Sequence, residues 1–207
     1  MEAPQTPADL LAGTAGAAAT PGSGAPTGAG TPAGGGTAGA GTPAEGDATA
    51  VARTAVDSAG RMTELGRRLA TLLRPGDLVM LTGELGAGKT TLTRGLGEGL
   101  GVRGAVTSPT FVIARVHPSL TGGPALVHVD AYRLGGGLDE MEDLDLDVSL
   151  PDSVIVVEWG DGKVEDLSEG RLHVVIHRVV GATDDDRREV TLTGYGERWA
   201  GVDLALV

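Results

Sequence analysis

Asp77-Leu78-Val79-Met80-Leu81-Thr82-Gly83-Glu84-Leu85-Gly86-Ala87-Gly88-Lys89-Thr90-Thr91 decides the fold. It opens with an apolar run of strand length. Residues 83–90 then fit G-x-x-x-x-G-K-[ST], the phosphate-binding P-loop. Only two lysines, Lys89 and Lys163, occur among 16 basic residues, and one holds the motif position. A compact ammonium on a flexible stem suits terminal phosphates there, where arginine would not. Gly83, Gly86 and Gly88 let the backbone turn its N–H groups inward as an anion nest, and the following helix adds its positive dipole end. Gly83, Glu84, Leu85, Gly86, Ala87, Gly88, Lys89, Thr90 and Thr91 are therefore the expected nucleotide-binding residues. Lys89 would reach the β- and γ-phosphates, and Thr90 would offer a hydroxyl to Mg²⁺.

Working outward, Leu92, Leu96 and Leu100 recur at helical spacing after the loop. Gly95, Gly97 and Gly99 weaken that helix by about 1 kcal/mol each against alanine, so packing must carry it. Upstream, Asp57 to Leu73 reads as an amphipathic helix with Met62, Leu65, Leu69 and Leu72 on one face. Asp57 or Ser58 could cap it, and Arg74-Pro75-Gly76 ends it. Downstream, strands are expected at 111–116, 125–130, 153–158, 172–177 and 189–193, with a turn at 121–124 and a short acidic helix or turn at 138–146. The run 153–158 is the most apolar and reads as a central strand. The expected class is α/β, a P-loop NTPase-like three-layer domain with a mixed, largely parallel sheet.

Composition sets the boundary. Residues 1–50 hold 12 of 35 glycines and 6 of 11 prolines, with almost no large apolar side chain. Such a segment buries too little surface to offset its ordering entropy. Residues 1–52 are thus expected to be a disordered tail and 53–207 the P-loop domain. The net charge is −12, and four acids and no bases lie in residues 1–50, so eight of the twelve net charges sit on the rest. An acidic domain is a poor direct binder of nucleic acid. Without cysteine there is neither a disulfide framework nor a thiolate metal site. No apolar stretch is long enough to span a membrane, and a cytoplasmic protein is expected.

The motif needs an acid on a neighbouring strand to hold Mg²⁺. Glu158, after Val154-Ile155-Val156-Val157, and Asp130, after Leu126-Val127-His128-Val129, are the two candidates. His128 and Asp130 share a strand face, either as a metal pair or as a structural histidine beside a site acid. Thr107-Ser108-Pro109-Thr110-Phe111 is a polar loop whose hydroxyls could face a γ-phosphate, or simply a turn set by Pro109. Arg115 and Arg133 are the arginines near the expected site motifs. The chain lacks asparagine, and with it the guanine-reading Asn-Lys-x-Asp, so adenine is the expected base.

Together, residues 83–91, Thr107 to Phe111, His128-Val129-Asp130-Ala131-Tyr132-Arg133-Leu134 and Val157-Glu158-Trp159 resemble, in order and spacing, the TsaE (YjeE) family over about residues 55–200. The resemblance implies a small Mg²⁺-dependent ATPase of tRNA threonylcarbamoyladenosine biosynthesis. It implies TsaB and TsaD proteins as partners, with tRNA reached only through that complex. It implies Lys89, Asp130 and Glu158 as catalytic residues and Thr90 with Glu158 as the Mg²⁺ ligands. Asp130 would orient water or Mg²⁺ near the γ-phosphate, and Trp159 would contact partner or nucleotide. Leu144-Asp145, where the family often carries Leu-Gly, and the long N-terminal segment depart from the family pattern. A small-molecule kinase and a nucleotide-gated binding module without productive hydrolysis are the alternative readings of the same P-loop.

Overall fold

The computed structural model describes residues 48–108, 113–133, 149–160, 168, 170–179 and 187–206. The expected tail up to residue 47, residues 109–111 of the Thr107 loop, the start of the expected strand at 111–112, Leu134 and the acidic segment 138–146 lie outside the described residues. Seven strands form one sheet: β1 (Ala48–Val56), β2 (Leu78–Gly83), β3 (Ala114–His117), β4 (Ala125–Asp130), β5 (Ser153–Glu158), β6 (Arg171–Arg178) and β7 (Arg188–Tyr195), in the order β1-β7-β6-β2-β5-β4-β3. The helices are α1 (Ala59–Ala70) and α2 (Lys89–Leu100).

The sheet is mixed, as expected, with a parallel centre and antiparallel flanks. β6, β2, β5 and β4 run parallel in the middle, while β1, β7 and β3 pair antiparallel at the flanks. β6 and β7 follow one another in the chain and pair antiparallel, and β1 adds antiparallel to the free edge of β7.

β1 corrects the domain boundary. Residues 48–52 belong to a nine-residue strand paired along β7, with Ala50 opposite Gly194 and Val56 opposite Arg188. Ala48-Thr49-Ala50-Val51-Ala52 continues the Ala/Thr composition of the preceding segment, so pairing with β7, not composition, marks it as an edge strand.

Side-chain alternation on the strands splits the core. Val79, Leu81, Val154, Val156, Leu172, Val174 and Ile176 join Met62, Leu65 and Leu69 of α1 and Leu92, Leu96 and Leu100 of α2 in one cluster. Leu78, Met80, Val127, Val129, Ile155 and Val157 form a smaller one on the opposite face. Both α-helices therefore cover the same face of the sheet. Ser58 caps α1, its hydroxyl accepting from the Arg61 N–H at 3.3 Å.

Candidate functional site

β2 ends at Gly83 and α2 begins at Lys89, so the glycine loop joins a buried strand to a helix N-terminus. Gly83, Gly86 and Gly88 have φ of 156°, 78° and 115°, conformations that side-chain-bearing residues rarely adopt. A Cβ on Gly83 would also stand 2.5 Å from the Ile176 carbonyl oxygen of β6. The glycine spacing of the motif thus answers to backbone geometry. Leu85, at the loop tip, is 86% exposed, whereas Ala87 is fully buried.

Lys89 is only 4% exposed. Its ammonium donates to the carbonyls of Gly83 at 2.8 Å and Glu84 at 3.0 Å, and stands 3.6 Å from the centre of the Trp159 ring. Burial lowers its pKa from the ordinary lysine value, against the opposing pull of the Glu158 and Asp130 carboxylates.

β4 and β5 lie parallel, with Asp130 opposite Glu158, so both candidate acids reach the same strand end. The Thr90 hydroxyl donates to Glu158, at 2.9 Å from Oε1 and 3.2 Å from Oε2. His128 Nε2 lies 2.8 Å from Glu158 Oε1. The histidine is wholly buried and its Nδ1 has no hydrogen-bond partner among the described residues. Nε2 thus meets the acid at the end of the neighbouring strand. Asp130, 7% exposed, accepts from the Tyr132 N–H at 3.2 Å.

Trp159 adopts a left-handed backbone conformation, φ 63°, outside glycine's privilege. Such a conformation costs about 1–3 kcal/mol and persists where neighbours over-determine it. Here the Trp159 N–H donates to Leu81 O at 3.1 Å, and the ring lies against Tyr132 at 5.2 Å between centroids and against Lys89.

A pocket of about 320 Å³ gathers these groups. Gly86, Gly88, Lys89, Thr90, Asp130 and Glu158 line it, and Leu85, Thr91, Ser108, Tyr132 and Trp159 complete the wall. Glycine loop, lysine, hydroxyl and two carboxylates from separate stretches thus meet in one place. Of the Thr107 loop, Ser108 reaches the pocket. Thr90 and Glu158 offer a hydroxyl and a carboxylate, hard oxygens of the kind Mg²⁺ takes while keeping several waters. Among the described residues no three His, Asp or Glu side chains gather as a metal cage. One arginine was missed: Arg188 of β7 donates from Nε to the Ala87 carbonyl at 3.1 Å. A hundred residues separate them, and no local pattern signals the contact.

Comparison with known proteins identifies a family. The family model described as threonylcarbamoyl adenosine biosynthesis protein TsaE matches residues 56–189. The chain is 79% identical to the tRNA threonylcarbamoyladenosine biosynthesis protein TsaE of Streptomyces coelicolor over 146 residues, 70% of this chain and 99% of that one. The protein of the same name from Bacillus subtilis is 42% identical over 136 residues, 65% and 80% of the two chains. The crystal structure of Bacillus subtilis YdiB superposes with a TM-score of 0.56 at 33% identity, covering 72% of this chain and 88% of that one. The P-loop, the paired acids at the ends of β4 and β5, and these matches together place the chain in the TsaE family of tRNA threonylcarbamoyladenosine biosynthesis.

Proposed function

We propose that this protein is an ATPase that serves threonylcarbamoylation of tRNA together with TsaB and TsaD proteins. The observation that carries the reading is the Thr90–Glu158 hydrogen bond beside Lys89 at the mouth of the glycine loop. It joins a helix N-terminus to the end of the neighbouring parallel strand, which is the arrangement a nucleoside triphosphate with Mg²⁺ requires.

In this mechanism the loop N–H groups and the N-terminus of α2 bind the β- and γ-phosphates. Lys89 leaves the Gly83 and Glu84 carbonyls and turns its ammonium onto the phosphates, where it offsets charge on the departing β-oxygen. Thr90 and Glu158 would hold Mg²⁺, which would supply positive charge to neutralise the phosphate oxygens. Asp130 orients the attacking water. Water attacks the γ-phosphorus as the bond to the β-oxygen breaks, giving ADP and phosphate. Hydrolysis by the isolated chain is slow, and the partners complete the catalytic geometry. The net negative charge keeps tRNA on the partners. The setting for this chemistry is the cytoplasm, and no described helix is long and apolar enough to cross a membrane.

The test is ATP hydrolysis by the purified chain, alone and with its organism's TsaB and TsaD proteins. Slow turnover that rises with both partners is expected. Glu158→Gln should lower the stimulated rate about 100-fold or more while ATP still binds. Undiminished tRNA modification with Glu158→Gln would move the site to a nucleotide-gated binding module. Phosphoryl transfer to a metabolite in preference to water would make it a kinase.

A further inference from the structure

The phosphate loop is backed from three directions. β6 stands behind Gly83, whose missing Cβ would meet the Ile176 carbonyl oxygen. α1 stands behind Gly88, with Met62 Cε 3.3 Å from where a Cβ would be. From β7, Arg188 brings a charged donor onto the buried Ala87 carbonyl. Arg188 is the first residue of β7 and faces Val56 of β1 and Arg178 of β6, so its backbone is held from both sides.

We propose that Arg188 is a positioning residue for the phosphate nest, acting through the Ala87–Gly88 peptide; the proposal rests on reading the loop as a nucleotide site. A trans peptide is planar, and its C=O and N–H point in opposite directions. A guanidinium that draws the Ala87 oxygen toward β7 therefore turns the Gly88 N–H the other way, toward the pocket that Gly88 lines. Gly88, at φ 115°, has no side chain to restrain this peptide, so the restraint comes from outside the loop. A nest stabilises an anion best when its donors are set before the anion arrives. A charged donor holds a carbonyl more firmly than a neutral one does. The antiparallel flank of the sheet thereby does for the P-loop what no residue within the loop can do.

Two variants of the full chain test this. Arg188→Met keeps the aliphatic stem and removes the donor, and Arg188→Lys keeps a charged donor. With ATP and ADP titrated calorimetrically, R188M should weaken both about tenfold or more. R188K should recover part of that loss, and the nucleotide-free Tm values of the two variants and the parent should agree within about 3 °C. In steady-state hydrolysis the loss should appear in KM more than in kcat. The inference is overturned if R188M binds ATP within twofold of the parent, or if affinity falls only in step with Tm and lysine restores nothing. Should R188M not fold, amide exchange at Gly88 in R188K decides. Faster exchange than in the parent supports the inference, and equal rates overturn it. A parent chain that fails to bind ATP refutes the reading of the site itself. A parent that binds while R188M is unaffected refutes this inference alone.

Discussion

At the scale of single residues, the site trades stability for chemistry. Lys89 is almost fully buried, and burial outweighs the two nearby carboxylates in setting its pKa below the ordinary lysine value. The sign follows from proton linkage. Between the lowered folded value and the unfolded one near 10.5, the unfolded chain binds more protons, so stability rises with pH across that window. Below that window the fold carries the full cost of the buried charge. Lys89→Met should therefore raise the nucleotide-free Tm by about 2 °C or more and flatten the alkaline rise, while ATP binding is lost. Thermal melts from pH 7 to 11, with calorimetric ATP titrations, check both halves. A lower Tm would show that the carbonyl and Trp159 contacts outweigh the burial.

At the scale of elements, α2 is explained by its partner. Gly95, Gly97 and Gly99 are poor helix residues, and the sequence leaves them as a cost without a reason. In the fold, Gly95 packs on the Thr63 carbonyl and on Gly66 of α1, and a Cβ on Gly99 would stand 2.5 Å from Ala70 Cβ and 2.8 Å from Arg67 O. Gly97 instead faces the Val106 side chain, 2.6 Å from where its Cβ would be. Gly95 and Gly99 let two helices on one sheet face approach backbone to backbone, and that approach sets where the N-terminus of α2 points. Gly95→Ala should then destabilise by about 2 kcal/mol or more, against the gain expected from helix propensity. Gly60→Ala in α1, with open space around its Cβ, should instead gain a few tenths to about 1 kcal/mol. Urea unfolding of the two variants compares them. A stabilised Gly95→Ala would mean that the helices part without cost.

Across the whole molecule, the two ends of the fold are latched by one ion pair. Arg198, after β7, donates to Asp77 at the start of β2 with two bonds of 2.7 and 2.8 Å, and its Nη2 also donates to the Leu72 carbonyl at 2.7 Å. Asp77 is 2% exposed and also accepts from the Arg74 N–H. The pair ties the C-terminal chain to the strand that feeds the phosphate loop, at the end of β2 away from the pocket. Arg198→Ala leaves a buried carboxylate without its counter-charge and should cost about 3 kcal/mol or more. Chemical denaturation reads the loss. A cost under about 1 kcal/mol would mean that Arg74 and water suffice for Asp77.

The strand–loop–helix at residues 78–100 was legible in the sequence, because turn chemistry and apolar periodicity are local properties. So were Lys89, Thr90, Asp130 and Glu158 as candidates, which the fold brings to one pocket. Tertiary structure alone decided the rest. β1 was hidden because Ala and Thr read alike in a tail and in an edge strand, and only pairing with β7 separates them. His128 found its role when β4 lay parallel to β5, which brought Nε2 to Glu158. Arg188 reached Ala87 across the sheet, and Trp159 took its left-handed turn between Lys89, Tyr132 and Leu81. These are contacts between residues far apart in the chain, and no spacing along a sequence encodes the distance between strands that become neighbours only when the sheet forms.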